Sequence, residues 1–138
     1  LRFSHENKIP LNFLVNSGDL WEVGEDLHIT LSQKNYQNEK IVIPKGFKTD
    51  LASVPRVFNS IINTYGDFMI GSLIHDWLYK TDFKRDELGD YKARLMADRE
   101  MLIWSKKYNK NKFENQTMFW GVRTFGAKIY KRTPNESK

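Results

Sequence analysis

The chain has 138 residues and a mass of 16.3 kDa, the size of one ordinary domain, with 40% hydrophobic and 28% charged residues, a globular rather than disordered composition. It has no cysteine, which excludes a disulfide scaffold, a thiolate metal site and a cysteine nucleophile; a zinc site would have to use carboxylates and the histidines His5, His28 and His75. The net charge of +5 is uneven: residues 1–79 carry a net −2 and residues 80–138 a net +7.

The first third reads as short strands. Leu11 to Val15 precedes the turn cluster Asn16-Ser17-Gly18-Asp19, and Leu20 to Val23 follows it. After Gly24-Glu25-Asp26, the apolar residues Leu27, Ile29 and Leu31 alternate with His28 and Thr30. A polar loop over 33–39 leads to Ile41-Val42-Ile43-Pro44, and Gly46 to Asp50 forms a last extended piece. Turns at this spacing fit a small N-terminal antiparallel β-sheet.

From Asp50 the period becomes helical. Ser53 precedes Pro55, a good first helical residue, and Val57, Ile61 and Ile62 continue a short helix. Asp67 is placed to cap a second helix with Ile70, Leu73, Ile74, Trp77 and Leu78 on one stripe. A third helix is expected from about Asp86 to Tyr108, and a fourth from about Glu114 to Tyr130 with Met118, Val122, Phe125 and Ile129 inward. Trp104, Trp120 and the phenylalanines read as core. The expectation is one α+β domain over 1–138: a sheet-forming part at about 9–50, a bundle of about four helices at 54–131 and a polar tail at 132–138. No apolar run approaches a membrane span and no signal-peptide pattern opens the chain at Leu1.

The chemistry concentrates on the second helix. His75 and Tyr79 are four apart on one face and Asp76 lies on the adjoining one, so the helix offers three polar groups at the shoulder of its apolar stripe. On the third helix Leu88, Tyr91, Leu95 and Leu102 form a stripe, and Asp98 falls where its next apolar residue belongs. A carboxylate turned inward needs a partner. Two arrangements satisfy it: Asp98 accepting from His75 and fixing its tautomer, or Asp98 in a buried pair with Arg123; Arg56 is a further candidate. Asp50 and Ser53, between strand and helix, either cap the helix at Pro55 or offer oxygen ligands to a hard cation. His28 reads as solvent-facing and His5 as part of a terminus. Lys106, Lys107, Lys110 and Lys112, with Tyr108 and Phe113 between them, are either a solvated helix connection or a phosphate contact.

The segment Ile43-Pro44-Lys45-Gly46-Phe47-Lys48-Thr49-Asp50-Leu51-Ala52-Ser53-Val54-Pro55-Arg56 resembles the opening signature of the phage and prophage family known as domain of unknown function 1353. His75-Asp76-Trp77-Leu78-Tyr79, Ala97-Asp98-Arg99 and Trp120 to Gly126 match that family's later motifs, so the likeness runs over about 41–132. It implies a phage gene, often near tail and lysis genes, with no settled activity.

A second resemblance is local. His75-Asp76-x-x-Tyr79, with Asp98 on a following helix, is similar to the motif of phospholipases A2, although the flanking disulfides and the glycine-rich calcium loop are absent. It implies His75 as water-activating base, Asp98 as its orienter, Asp76 as a calcium ligand and Tyr79 as a support.

Three functions follow. One is a hydrolase using calcium, or less readily zinc or manganese, with His75, Asp98, Asp76 and Asp50 at the site and Tyr79, Ser53 and Arg123 supporting it; its substrate is unspecified. Another is a non-enzymatic virion, tail-associated or host-interaction protein in which the same residues form a buried network. A nucleic-acid-binding module comes last, because no reading motif accompanies the basic charge.

Overall fold

In the computed structural model the described residues are 2–3, 14–17, 20–36, 39–49 and 68–131. Asp50, Ser53, Arg56, His5, the expected helix before residue 63 and the polar tail lie outside them. The chain divides into two compact units, Leu1–Leu51 and Ala52–Lys138.

Among the described residues the first unit carries six short strands: β1 (Arg2–Phe3), β2 (Leu14–Ser17), β3 (Leu20–Val23), β4 (Leu27–Thr30), β5 (Lys40–Ile43) and β6 (Lys48–Thr49). They form two three-stranded sheets, ordered β1-β4-β5 and β2-β3-β6. All pairs are antiparallel except β1 with β4, which run parallel. Alternation fixes the β4–β5 register. Leu27 stands opposite Ile43 and Ile29 opposite Ile41, and all four are buried, whereas Lys40 and Val42 point outward. A one-residue slip of either strand would turn its two apolar side chains to the opposite face. The turn between β5 and β6 has Gly46 at a φ of 91°, a left-handed backbone suited to glycine, and the Gly46 N–H donates to Val23 O at 2.8 Å.

The second unit holds α1 (Met69–Lys80), α2 (Arg85–Leu88), α3 (Asp90–Tyr108) and α4 (Lys112–Lys131). The α+β class expected from the sequence is the observed one. The third expected helix, however, is two: Gly89, at φ 85° and ψ 164°, breaks the chain between α2 and α3. Helix α1 is buried almost all round rather than along one stripe. Ser72, His75, Asp76 and Tyr79 are enclosed together with Ile70, Leu73, Ile74 and Leu78. A helix enclosed on every side is the central element of its unit.

Packing follows small residues. α1 lies on α3 and α3 on α4. At the α1–α3 crossing Gly71 has no side chain; a Cβ there would sit 2.8 Å from Ser105 Oγ and 2.9 Å from the Met101 carbonyl oxygen. The inner face of α3 is Ala93, Ala97, Met101 and Trp104, all buried, while Tyr91 is 68% exposed. The expected stripe through Leu88, Tyr91, Leu95 and Leu102 is therefore displaced, because alanines carry the close contact. On α4, Met118 and Val122 are buried as expected, but Phe125 and Ile129 are exposed, as are Trp120 and Phe113.

A buried guanidinium ties the far end together. Arg85 donates from Nε to Asp90 Oδ1 (2.7 Å) and from Nη1 to Asp82 Oδ1 (2.9 Å) and the Tyr130 carbonyl (3.0 Å), and it lies 4.1 Å from the Tyr130 ring centroid. One side chain thus links the α1–α2 turn, the start of α3 and the end of α4.

Gly71→Ala tests the helix crossing. The Met101 carbonyl is backbone and cannot rotate away, so the substitution should cost about 1–3 kcal/mol and lower the melting temperature. An unchanged melting temperature would show that α1 and α3 do not meet closely at Gly71.

Candidate functional site: an aspartate held by three helices

The centre of the helical unit is Asp98, fully buried on α3. Its Oδ1 accepts from His75 Nε2 at 2.6 Å and from the Tyr79 hydroxyl at 2.6 Å, both on α1. Its Oδ2 accepts from Arg123 Nη1 of α4 at 2.7 Å and, more weakly, from Arg94 Nη1 at 3.5 Å. The two arrangements left open by the sequence, a histidine partner and an arginine partner, coexist on opposite oxygens of one carboxylate.

Local sequence explains each placement. His75 and Tyr79 are one turn apart on α1, so both reach the same oxygen, and their rings lie 4.1 Å apart. Arg94 is one turn before Asp98 on α3 and also donates to the carbonyls of Val122 and Arg123, each at 3.2 Å, which joins α3 to α4. Gly126 makes room: a Cβ there would lie 3.0 Å from the Tyr79 hydroxyl. Neither Arg94 nor Gly126 stands out in the sequence as a site residue. The signals were there in the spacing of four between Arg94 and Asp98 and in a glycine inside a helical pattern.

The electrostatics follow from this geometry. Burial opposes ionisation of Asp98, but the hydrogen bonds from His75, Tyr79 and Arg123 outweigh it and hold the carboxyl below its ordinary range. Asp98 is therefore an acceptor only, and the proton of the short contact with His75 belongs on Nε2. Burial first, and the charge of Asp98 second, push the Tyr79 phenol well above its ordinary range, so it remains a donor.

What is unsatisfied is as informative. His75 Nδ1 is buried and has no hydrogen-bond partner among the described residues, and the same holds for Ser72 Oγ and Asp76 Oδ2. Ser72, His75 and Asp76 are spaced by three and four, so these atoms share one side of α1. Lys80 Nζ stands 3.3 Å from Asp76 Oδ2, an ion pair without hydrogen-bond alignment. Of the residues expected at the site, His75, Tyr79, Asp98 and Arg123 are brought together, Asp76 adjoins His75 on α1, and Asp50 and Ser53 lie outside the described residues. Glu100, buried and accepting from Trp104 Nε1 at 3.0 Å, is a further internal carboxylate that the sequence reading missed.

The model of the family described as protein of unknown function (DUF1353) matches residues 21–122, and the chain belongs to that family. No curated protein and no solved structure matches it. Among the described residues no helix is long and apolar enough to cross a membrane.

Removing the Asp98 charge tests the hub. Asp98→Asn leaves Arg123 and Arg94 facing a neutral amide and should cost roughly 3 kcal/mol. The sign of the pH dependence is set by the lowered folded-state value. The stabilisation is complete above the ordinary carboxylate range, about pH 4, and is lost as pH falls toward the depressed value. Wild type should therefore lose stability on acidification below about pH 4 more steeply than Asp98→Asn. Parallel acid limbs for the two proteins would contradict the assignment.

Proposed function

We propose that the chain is a phage-encoded hydrolase in which His75 takes a proton from water. The observation that carries this reading is the asymmetry of a buried imidazole: Nε2 is fixed by Asp98, while Nδ1 has no partner among the described residues. A histidine serving packing alone ordinarily satisfies both nitrogens. With the proton on Nε2, the Nδ1 lone pair can accept a proton from water as its oxygen attacks an acyl or phosphoryl centre. The proton then passes from Nδ1 to the leaving group, which restores the neutral ring. Asp98 and Tyr79 act as positioning residues. The hydrogen bonds from His75, Tyr79 and Arg123 keep Asp98 ionised.

The proposal includes a cation, calcium before zinc or manganese, with Asp76 as a ligand; it would polarise the carbonyl or phosphoryl oxygen of the group under attack. Asp76 supplies a buried carboxylate oxygen, ion-paired with Lys80 Nζ at 3.3 Å and with no hydrogen bond among the described residues. The described residues hold no group of three histidine, aspartate or glutamate side chains able to bind a metal, so the remaining ligands would be carbonyl and water oxygens. A single nearby histidine makes zinc the poorer fit.

A second reading is supported by the arginines. Asp98 already has two cationic partners, and His75 is fully buried. A non-enzymatic virion or host-interaction protein would use this network to fix the packing of α1, α3 and α4.

Two measurements on one set of proteins separate the readings. Melting temperatures of wild type and Asp76→Asn are compared with EDTA, calcium, zinc and manganese, and ester and phospholipid hydrolysis is followed for wild type and His75→Ala. The hydrolase reading expects a rise with one metal that vanishes in Asp76→Asn, and turnover that vanishes in a folded His75→Ala. No metal response and no turnover would leave the network as packing.

A further inference from the structure

Helix α4 presents two unlike faces. Asn115, Met118, Val122 and Tyr130 point inward, while Phe113 and Trp120 stand on the opposite side, 70% and 61% exposed. Seven residues separate the two rings, which is about two turns or 10 Å along the helix. Between them runs a shallow groove of about 390 Å³ whose floor includes Gln116, Thr117 and Thr124. Water is a poor solvent for two large rings on the same helix face.

The N-terminal end of the same helix adjoins a second cavity, of about 360 Å³. It is lined by Lys106, Lys110 and Lys112 with Asn109, Asn115 and Gln116, and Gln116 also borders the aromatic groove. None of these three lysines pairs with a carboxylate among the described residues. The nearby Glu114 carboxylate is engaged by the side-chain amides of Asn109 and Asn111, at 3.0 and 3.3 Å. Asn115 is 3% exposed; its Nδ2 donates to the Asn109 carbonyl at 2.9 Å, and its Oδ1 accepts no hydrogen bond among the described residues. The start of α4 adds the positive end of a helix dipole. The corner therefore combines unpaired cations, an unsatisfied buried acceptor and adjoining aromatic rings.

We infer that the α3–α4 corner docks on an anionic phospholipid surface. The lysine-lined cavity takes the phosphate of a headgroup. Phe113 and Trp120 enter the boundary between headgroups and acyl chains. Single-stranded nucleic acid also suits aromatic rings beside cations, but two features favour the lipid. Every cation lining the cavity is a lysine, a point charge, rather than the arginine fork that reads phosphates bidentately. The rings also stand on the convex side of one helix instead of flanking a channel for a strand of bases. The inference is independent of the hydrolase reading.

The test is co-sedimentation of the full chain with vesicles of phosphatidylcholine alone or of phosphatidylcholine and phosphatidylglycerol in equal parts. Binding should require phosphatidylglycerol and weaken as salt is raised. Replacing Lys106, Lys110 and Lys112 together by glutamine should lower partitioning about a hundredfold, at roughly fivefold per lysine. All three are exposed, so this variant should keep the wild-type melting temperature. Trp120→Ser and Phe113→Ser should each weaken binding to the same vesicles, whereas His75→Ala should not. Equal binding to neutral vesicles, no binding to anionic ones, or an unchanged affinity in the triple variant would overturn the inference. So would tighter binding to a single-stranded oligonucleotide than to the vesicles at equal salt.

Discussion

A carboxylate in the interior of a helical unit is tolerable only when its charge is met, and the helices of this protein are arranged around meeting it. Asp98 draws His75 and Tyr79 from α1 to one oxygen, and Arg123 from α4 with Arg94 from its own helix to the other. Its ionisation sets the direction of every hydrogen bond in the cluster, because an ionised carboxylate only accepts. Breaking such a group out of its network costs several times what a surface ion pair contributes. Packing of α1, α3 and α4 and the orientation of His75 thus depend on the same charge.

The geometry around this charge is made possible by residues that do nothing chemical. Gly71 lets α1 approach the backbone of α3, and Gly126 leaves space for the Tyr79 hydroxyl beside α4. Alanines on the inner face of α3 keep the helices close enough for short side chains such as Asp98 to reach across. At the other end Arg85 repeats the principle in smaller form, satisfying two aspartates and a terminal carbonyl with one guanidinium.

Much of this was legible in the sequence, for reasons that can be named. The strands announced themselves by alternation, since Leu27, Ile29, Ile41 and Ile43 leave one consistent register. His75, Asp98 and Tyr79 could be grouped because two polar residues one turn apart face an inward carboxylate. The stripe used to place Asp98 was nevertheless the wrong one. Pattern reading gives weight to large residues, and the true inner face of α3 uses Ala93 and Ala97; Asp98 falls at the border of both faces. Trp120 and Phe113 passed as core for the same reason, although they are out of phase with Met118 and Val122. Composition alone does not separate a buried ring from one held toward a partner. The break at Gly89, where the backbone takes a positive φ, is marked in the sequence only by the glycine itself, and the apolar period continues across it.

The central claim is that an ionised Asp98 holds His75 through Nε2 and leaves Nδ1 available. It is tested most directly by long-range proton–nitrogen NMR of the histidine ring, on the alkaline side of the ordinary imidazole range, in wild type and Asp98→Asn. The account predicts His75 in the tautomer with the proton on Nε2 and an unprotonated Nδ1, with that preference weakened in Asp98→Asn. A wild-type His75 carrying its proton on Nδ1 would contradict it.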